Sequence, residues 1–227
     1  MTANQLSIIV PILNESEQLP DLLEHLSLWK QVGCDVILVD GGSVDQSYEL
    51  AEAQGFKVLR SERGRALQMN TGAAEACGDC LLFLHADTRL PKHADQLILR
   101  TMQETSADWG RFNVCITGRS FMFKVIAWFM NHRSCLSSIV TGDQGIFIRK
   151  QLFEKVGGFP VQPLMEDIEF SKRLKKIVKP AALKEKVTTS GRRWEQRGIW
   201  STIYLMWCLR FAYWRGADVD ELAAQYR

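Results

Sequence analysis

Short apolar runs alternate with amphipathic helical patterns along the first 90 residues of this chain, and this alternation constrains its fold most. The runs predict four buried strands, at Leu6–Ile12, Asp35–Asp40, 56–59 and 80–84. Helical spacing predicts helices between them, at 17–30, 45–54 and 64–76. A strand–helix repeat of this kind predicts an α/β fold with a mostly parallel sheet flanked by helices.

Polar residues follow three of the predicted strands. Asn14 and Glu15 follow the first strand, Asp40 ends the second, and Asp87 follows the fourth. Each residue alone is an ordinary turn former. Their recurrence at successive carboxyl ends favours a nucleotide site, because ligands of open α/β sheets bind at that edge. Asp87 also offers the hard oxygen ligand that Mg²⁺ or Mn²⁺ prefers.

The second half of the chain contains an acidic helix start, MEDIEF. Helical spacing places Asp167, Phe170, Leu174 and Ile177 on one face, with Glu169 on the solvent side. Asp167 is therefore predicted to point inward. A carboxylate in that position requires a cation, a substrate hydroxyl or backbone donors.

The other patterns of the second half are less specific. They predict helices at 93–105 and 150–156, strands at 109–116 and 146–148, an apolar stretch at 121–130, a basic region at 184–197 and a short amphipathic helix at 218–227. Residues 199–214 are apolar on every side but too few to span a bilayer. Core packing, a homodimer interface and an interfacial membrane anchor remain three alternatives for this segment.

Composition narrows the class of protein. The chain is 46% hydrophobic and 24% charged, as in folded globular proteins, and its net charge of +2 gives no signal for nucleic acid. Cys77 and Cys80 form one CxxC without a second pair, which favours reduced thiols over a zinc or redox site. Residues 1–5 are polar and Pro11 interrupts the first apolar run, so no signal peptide is expected. A cytoplasmic location is expected, with or without contact at the inner face of the membrane.

Taken together, the motifs resemble those of the family 2 glycosyltransferases, inverting nucleotide-sugar enzymes with the GT-A fold. SIIVPILNE resembles the opening strand of that family, and VDGGSVDQS resembles its VDDGSTDGS segment. GRALQMNTGAAEACGDCLLFLHADT resembles the stretch that leads to its metal-binding DxD, and MEDIEF its catalytic Glu-Asp motif. SGRRW resembles its QxxRW motif.

The resemblance implies a set of site residues. Catalysis is implied for Asp167 as the base, with Glu166 beside it, and metal binding of Mg²⁺ or Mn²⁺ for Asp87. Donor binding is implied for Pro11, Asn14, Glu15, Asp40, Gly42, Ser43, Arg65, Asn70, His85, Ala86, Asp87 and Arg193. Acceptor binding is implied for Gly142, Asp143, Gln144 and Trp194.

The chain departs from the family pattern at three positions. His85 stands where the first Asp of DxD is usual, Gly41 replaces the second Asp of VDDGS, and Ser190 replaces the Gln of QxxRW. No apolar segment long enough to span a membrane follows, so the resemblance implies a nonprocessive enzyme. It also implies one GT-A domain over residues 1–227. Within it, residues 1–90 would bind the nucleotide, 91–197 the acceptor, and 198–227 would form an aromatic helical extension.

The acceptor is the least defined partner. Aromatic and cationic residues mix in 119–140 and 190–214, which suits an amphiphile such as an isoprenoid, a carotenoid or a lipid alcohol. Two other functions stay open. A sugar-phosphate nucleotidyltransferase would carry a Gly-rich loop after the first strand, but PILNESEQLP has no Gly. A non-catalytic nucleotide-binding scaffold would not need both Asp87 and Asp167.

Overall fold

The structure, a computed structural model, describes residues 6–226. Its strands are β1 Leu6–Ile12, β2 Asp35–Asp40, β3 Lys57–Arg60, β4 Cys80–Phe83, β5 Thr88–Arg89, β6 Trp109–Thr117, β7 Ile146–Arg149 and β8 Ala181–Ser190. Its helices are α1 Leu19–Gln31, α2 Ser47–Ala53, α3 Arg65–Ala74, α4 Ala94–Glu104, α5 Met122–Ser137, α6 Lys150–Lys155, α7 Glu166–Leu174, α8 Arg192–Arg197, α9 Ile199–Trp214 and α10 Val219–Tyr226. A 3₁₀ turn covers Gly142–Gln144.

The strands form one eight-stranded sheet in the order β3-β2-β1-β4-β7-β6-β8-β5. β1 pairs in parallel with β2 and β4, β2 with β3, and β6 with β8. The pairs β4–β7, β6–β7 and β5–β8 are antiparallel. The predicted α/β class is confirmed, and each antiparallel pair includes at least one strand of the half that begins at β7.

Helices cover both faces of the sheet, because the buried strands alternate their side chains between two cores. Ile8 and Val10 of β1 enter one core, which α1 and α4 close. Ile9 of β1 and Val39 of β2 enter the other, with Met69 of α3. The carboxyl ends of β1, β2 and β4 therefore meet at one edge, where their polar residues lie.

The sequence patterns did not predict β8. Its residues alternate between buried and exposed, with Leu183, Val187 and Thr189 inward and Lys184 and Lys186 in solvent. Exposed charged residues on a strand near the sheet edge hide the period-two pattern and guard against edge-to-edge pairing. The basic region at 184–197 is thus the second half of this strand followed by α8.

Helix α9 buries little of its apolar surface. Only Thr202 and Leu209 are buried, whereas Trp200, Tyr204, Trp207, Phe211 and Trp214 are each more than half exposed. Within residues 6–226, no helix combines the length and apolar character needed to cross a bilayer. The prediction that residues 1–5 carry no signal peptide lies outside the described residues.

The CxxC motif is neither bridged nor part of a metal cluster within the described chain. All six cysteines are free, and Cys77 is exposed whereas Cys80 is buried. Burial raises the pKa of the Cys80 thiol to about 12, so it stays protonated and unreactive. The structure therefore shows a packed thiol at Cys80.

Candidate active site

The loop after β2 is fixed by the carboxylate of Asp40. This side chain is 3% exposed and accepts hydrogen bonds from the backbone N–H groups of Gly42 and Ser43, both at 3.0 Å. The hydroxyl of Ser43 also donates to it. Asp40 therefore shapes the loop that faces the predicted donor, and its contact with a nucleobase remains a prediction.

The loops after β1 and β2 are joined to each other. The N–H of Asn14 donates to Ser43 Oγ at 2.9 Å, and the N–H of Val44 donates to Asn14 Oδ1 at 2.9 Å. Asn14 has a φ of 53°, a left-handed conformation that Asn tolerates better than most residues. The neighbouring N–H of Glu15 donates to Ser47 Oγ at 2.8 Å. These bonds make one rigid polar rim from two strand ends.

Gln68, which the sequence did not single out, lies beneath this rim. Its buried amide nitrogen donates to the carbonyls of Ile12 and Val39, each at 2.8 Å. A Cβ atom at Gly41 would lie 2.9 Å from Gln68 Cδ, closer than real Cβ contacts allow. Gly41 is therefore the residue that leaves room for Gln68, which explains the departure from VDDGS. The sequence signal that could have identified Gln68 is that it is a polar residue on the buried face of a predicted helix.

Asp87 lies between β4 and β8. Its Oδ1 accepts from Thr88 Oγ1 at 3.3 Å and from Thr189 Oγ1 at 3.4 Å, and its carbonyl accepts from the N–H of Ser190 at 3.2 Å. Both side-chain bonds reach one oxygen, so Oδ2 has no hydrogen-bond partner among residues 6–226. Burial, and next the negative charge of Asp87, raises the pKa of Glu15, so these two acids lie within electrostatic reach of each other.

The carboxylate of Asp87 fits a divalent cation that is held jointly with a ligand. No group of three or more His, Cys, Asp or Glu side chains in the described part of the chain is arranged to hold a metal. Mg²⁺ typically takes only one or two protein carboxylates and completes its shell with phosphates and water. A single half-exposed carboxylate with one open oxygen matches that mode and does not match a closed protein cage.

The 3₁₀ turn connects the end of β4 to the head of α7. His85 Nδ1 lies 3.1 Å from Asp143 Oδ1, and the N–H of Gly142 donates to Asp167 Oδ2 at 2.9 Å. Burial alone would raise the pKa of Asp143, but the hydrogen bond to His85 and nearby positive charge lower it to about 2. The predicted donor residue His85 and the predicted base Asp167 are therefore joined through two residues of one turn.

Glu166 at the start of α7 pairs with Arg65 at the start of α3. Arg65 Nη1 lies 3.3 Å from Glu166 Oε1, with the Glu166 side chain 4% and the Arg65 side chain 40% exposed. Burial raises the pKa of Glu166, and Asp167 adds to this effect while Arg65 opposes it. Burial alone would lower the pKa of Arg65, but the carboxylates, led by Glu166, raise it.

Asp167, predicted to point inward, is half-buried and accepts the backbone donors that such a position requires, but Glu166 is the more deeply buried acid of α7. Glu166 is buried and Asp167 is half-buried, with Ile177 beyond the helix 52% exposed. Glu166 lies four residues before the buried Phe170, and Asp167 lies three before it, so helical spacing admits both. The ion pair with Arg65 offsets the cost of burying the longer acid and leaves Asp167 at the rim.

Two predicted acceptor residues are used by the fold. Gln144 is completely buried, donates to Ser134 Oγ at 3.0 Å and accepts from the N–H of Thr141 at 3.3 Å. It therefore holds the 3₁₀ turn in place and cannot contact an acceptor in this arrangement. Trp194 is half-buried and packs against the main core. Gly142 and Asp143 are half-buried in the turn.

Asn70 and Arg193 were both predicted to bind the donor. The amide of Asn70 donates to the carbonyl of Phe159 and accepts from its N–H, each at 2.9 Å, so it positions the segment before α7. Arg193 Nη1 donates to the hydroxyl of Tyr226 at 2.6 Å. The last described helix thus contacts a residue predicted to bind the donor, a contact that no sequence motif indicated.

The remaining predicted donor residues lie along the same edge. Pro11 pairs with Val39 near the end of β1, and Gly42 is exposed in the loop after β2. Ala86 is half-buried, and its carbonyl accepts from Arg89 Nη1 at 2.9 Å.

Comparison with known proteins agrees with this architecture. The sequence profile described as Glycosyl transferase family 2 matches residues 7–157. An uncharacterized glycosyltransferase of Haemophilus influenzae is 29% identical over 184 residues, 74% of this chain and 61% of that protein. The undecaprenyl-phosphate 4-deoxy-4-formamido-L-arabinose transferase of Proteus mirabilis is 32% identical over 112 residues, 44% of this chain and 34% of that enzyme.

A solved structure shares the fold. The mannosyltransferase PcManGT from Pyrobaculum calidifontis, in complex with GDP-Man and Mn²⁺, matches with a TM-score of 0.64 at 18% identity, covering 92% of this chain and 61% of that one. Because the family profile covers more than half of the sequence, the chain belongs to glycosyl transferase family 2 and has the GT-A fold. It spans about three fifths of the Haemophilus relative and one third of the Proteus relative.

Proposed function

We propose that this chain transfers a sugar from a nucleotide-diphosphate sugar to an acceptor hydroxyl with inversion of configuration. The observation that supports it is the convergence of donor and base motifs in one polar network. Glu15 and Asp87 interact on one side of this network. Two bonds, His85 to Asp143 and Gly142 to Asp167, lie on the other side.

The donor would lie against the rim formed by the loops after β1 and β2. Asn14 and Ser43 are already fixed by their mutual hydrogen bonds, so binding there requires little ordering. Asp87 would hold Mg²⁺ or Mn²⁺, which neutralises charge on a departing diphosphate when bound. Arg193 and Arg65 would add charge-assisted hydrogen bonds to the same phosphates. The Pyrobaculum mannosyltransferase, whose structure was solved in complex with GDP-Man and Mn²⁺, supports this arrangement by analogy.

Asp167 would accept the proton of the acceptor hydroxyl. Its two oxygens accept from the N–H groups of Gly142 at 2.9 Å and Ile168 at 2.7 Å, which fixes the plane of the carboxylate. A base fixed in this way can remove the proton while the hydroxyl attacks the anomeric carbon from the side opposite the diphosphate. Glu166 would act as a positioning residue, because it anchors Arg65 beside Asp167.

An assay of donor turnover with Mn²⁺ across UDP-, GDP- and TDP-sugars would test this function. Asp167→Asn should keep the wild-type Kd for the preferred donor but lose about 10²–10⁴ in transfer rate. Asp108→Asn, the same change at an acid paired with Arg149 before β6, serves as the control. Near wild-type transfer by Asp167→Asn would refute the base assignment. Release of pyrophosphate from sugar phosphate and nucleoside triphosphate would instead indicate a nucleotidyltransferase, and binding without turnover a scaffold.

The acceptor is proposed to be an amphiphile presented at a membrane surface, at the inner face of the cell membrane. The stripe of α9, which we define as Trp200, Tyr204, Trp207, Phe211 and Trp214, repeats at helical spacing and is exposed along its whole length. Exposed Trp and Tyr side chains are typical of helices that lie in the membrane interface. The Proteus relative is named as an undecaprenyl-phosphate transferase, and this name supports a lipid-linked acceptor by analogy.

Co-sedimentation with vesicles that contain anionic lipid would test the membrane contact. The double variant Trp207→Ser/Trp214→Ser should lose most of the binding, whereas Val161→Ser, at an equally exposed apolar residue outside the stripe, should keep it. Equal binding by all three proteins would exclude the stripe as the contact. Sedimentation velocity without lipid would show whether the stripe instead joins two copies of the chain, the homodimer alternative.

A further inference from the structure

Tyr226, in the last turn of α10, contacts two arginines of α8. Its hydroxyl accepts a hydrogen bond from Arg193 Nη1 at 2.6 Å, and its backbone carbonyl accepts one from Arg197 Nη1 at 2.7 Å. The centroid of its ring lies 5.8 Å from the Cζ atom of each guanidinium group, within the range of a cation–π interaction. One residue of α10 thus fixes the direction of two cations of α8.

Helix α10 is itself held against the head of α7. Leu222 is 2% exposed and belongs to the same apolar cluster as Met165 and Ile168, the residues that flank the Glu-Asp pair in the sequence. Tyr226 is partly buried and packs against this cluster. The start of α10 is capped by Asp218, whose Oδ1 accepts from two N–H groups of the first turn. The helix therefore connects the element that carries the predicted base to α8.

Arg193 lies close to the acids of the predicted donor side. It follows Ser190 by three residues, and the N–H of Ser190 donates to the carbonyl of Asp87 at 3.2 Å. Burial, and next the charge of Asp87, raises the pKa of Glu15. The positive charges of Arg192 and Arg193 oppose this rise. Helix α8 thus begins directly beside the residue that is predicted to bind the metal.

The contact with Tyr226 orders Arg193 without neutralising it. A guanidinium group has five N–H donors, and the Tyr226 hydroxyl occupies one of them. Arg193 makes no ion pair and no second hydrogen bond among residues 6–226. Arg65, by contrast, is paired with the carboxylate of Glu166. A cation that is held by a neutral phenol keeps its full charge and most of its donors for an anionic ligand.

We infer that Tyr226 is a positioning residue for the donor, because it holds the guanidinium of Arg193 ready for the diphosphate. The inference rests on the proposed function, in which Arg193 contacts this group. Binding to a disordered arginine must include the cost of ordering a long side chain, and prior ordering by Tyr226 removes part of this cost. The saving corresponds to about two- to tenfold in Kd. Helix α10 is on this basis a part of the donor site.

Calorimetry on the full chain with Mn²⁺ tests this inference, with UDP, GDP, TDP and the corresponding nucleosides as probes. Tyr226→Phe keeps the ring that packs against the cluster and removes only the hydroxyl. It should raise the Kd of the best-bound nucleoside diphosphate about two- to tenfold and leave the Kd of its nucleoside unchanged. Tyr213→Phe, the matched control, removes a hydroxyl of α9 that donates to Glu169 Oε2 at 3.0 Å, and it should keep both wild-type values.

A double-variant cycle tests whether Tyr226 acts through Arg193. Arg193→Gln should weaken diphosphate binding, and Tyr226→Phe should have no further effect in that background. Two effects that simply add up would overturn the inference. An unchanged diphosphate Kd in Tyr226→Phe also overturns it, as does an equal loss for nucleoside and diphosphate, which would indicate a general loosening of the fold. Tighter diphosphate binding would show that Tyr226 holds Arg193 away from the donor, the opposite role.

These outcomes are separate from the fate of the proposed function. If Tyr226→Phe transfers sugar with the wild-type KM for the donor, the proposed function stands and the positioning role fails. If diphosphate binding depends on Tyr226 through Arg193 while no sugar is transferred, the positioning role stands and the proposed function fails. If none of the three diphosphates binds to the wild type, both fail.

Discussion

Arg65 and Glu166 form an ion pair at 3.3 Å that links the start of α3 to the start of α7. The pair joins the half of the chain that carries the predicted donor loops to the half that carries the predicted base. Because Glu166 is buried, the pair also determines which of two adjacent acids remains at the rim. Asp167 makes no ion pair among the described residues, and it is the acid to which the proposed function assigns the role of base.

Removal of one partner of this pair should destabilise the protein. Arg65→Gln leaves the Glu166 carboxylate buried without a cation, at a cost of about 1–3 kcal/mol, less than for a fully buried pair since Arg65 is 40% exposed. Urea denaturation at pH 7 measures the change. Arg63→Gln, at an exposed arginine of the same loop, is the control. The double variant Arg65→Gln/Glu166→Gln should recover part of the stability that Arg65→Gln loses. If the changes in the free energy of unfolding of the two single variants simply add up in the double variant, the two residues are not coupled.

Restoration of the usual family residue after β2 should harm this chain. Gly41→Asp would bring a Cβ atom within 2.9 Å of Gln68 Cδ, and the two hydrogen bonds of Gln68 prevent its retreat. We expect a loss of about 1–3 kcal/mol in the free energy of unfolding. Gly41→Asp combined with Gln68→Ser should lose less than the sum of the single changes. A stable Gly41→Asp variant would show that Gln68 has another position available.

A side chain at Gly142 should disturb the turn beside the predicted base. Its Cβ atom would lie 2.2 Å from His85 Nε2, so Gly142→Ala must displace the ring and break the His85–Asp143 contact. We expect a lower melting temperature, corresponding to about 1–3 kcal/mol. His85→Ala makes room, so the double variant should be little less stable than His85→Ala alone. If Gly142→Ala lowers the melting temperature as much in the His85→Ala background as in the wild type, the predicted clash does not exist.

The stability of the protein should fall in mild acid because of His25. Its Nε2 accepts from Trp29 Nε1 at 3.2 Å and from the N–H of Leu90 at 3.0 Å, and burial lowers the pKa of His25 to about 4. The unfolded chain takes up this proton near pH 6.5, so between pH 6.5 and 4 the unfolded state binds more protons and is favoured. The free energy of unfolding should drop by at most about 1.4 kcal/mol per pH unit in this range.

Denaturation of the wild type and of His25→Gln at pH 7 and pH 5 measures this contribution. The free energy of unfolding of the variant should drop less between pH 7 and pH 5, because the variant has no imidazole to protonate at position 25. His132→Gln, at an exposed histidine, should retain the wild-type drop. If His25→Gln loses as much stability as the wild type, another group causes the acid sensitivity.

The first half of the fold could be predicted from the sequence, and the reason is physical. β1, β2 and β4 are buried on both faces, so they appear as continuous apolar runs that end abruptly in polar residues. Those endings alone predict that Asn14, Asp40 and Asp87 lie at one edge of the sheet. β8 lacked this signal because its exposed lysines mask the alternation.

The candidate site could be predicted only in outline. Periodicity brought Glu166 and Asp167 to one helix start but could not determine which acid is buried, because that depends on Arg65 from another helix. Gln144 lies in a polar turn motif, yet its side-chain amide is hydrogen-bonded to Ser134 Oγ and to the N–H of Thr141. Gln68 belongs to no motif and is indicated only by its polarity on a buried helix face, and Tyr226 is not indicated at all, because the partners of both residues are remote in sequence.

The backbone bond from the N–H of Ser190 to the carbonyl of Asp87 makes one amide proton a natural reporter of the site. This proton lies where β8 meets the segment that carries Asp87, just before the arginines of α8. Any ligand that holds Asp87 still would slow its exchange with deuterium, whatever the identity of that ligand. Occupancy could therefore be observed in a single peptide by mass spectrometry, even before the substrates of the chain are known.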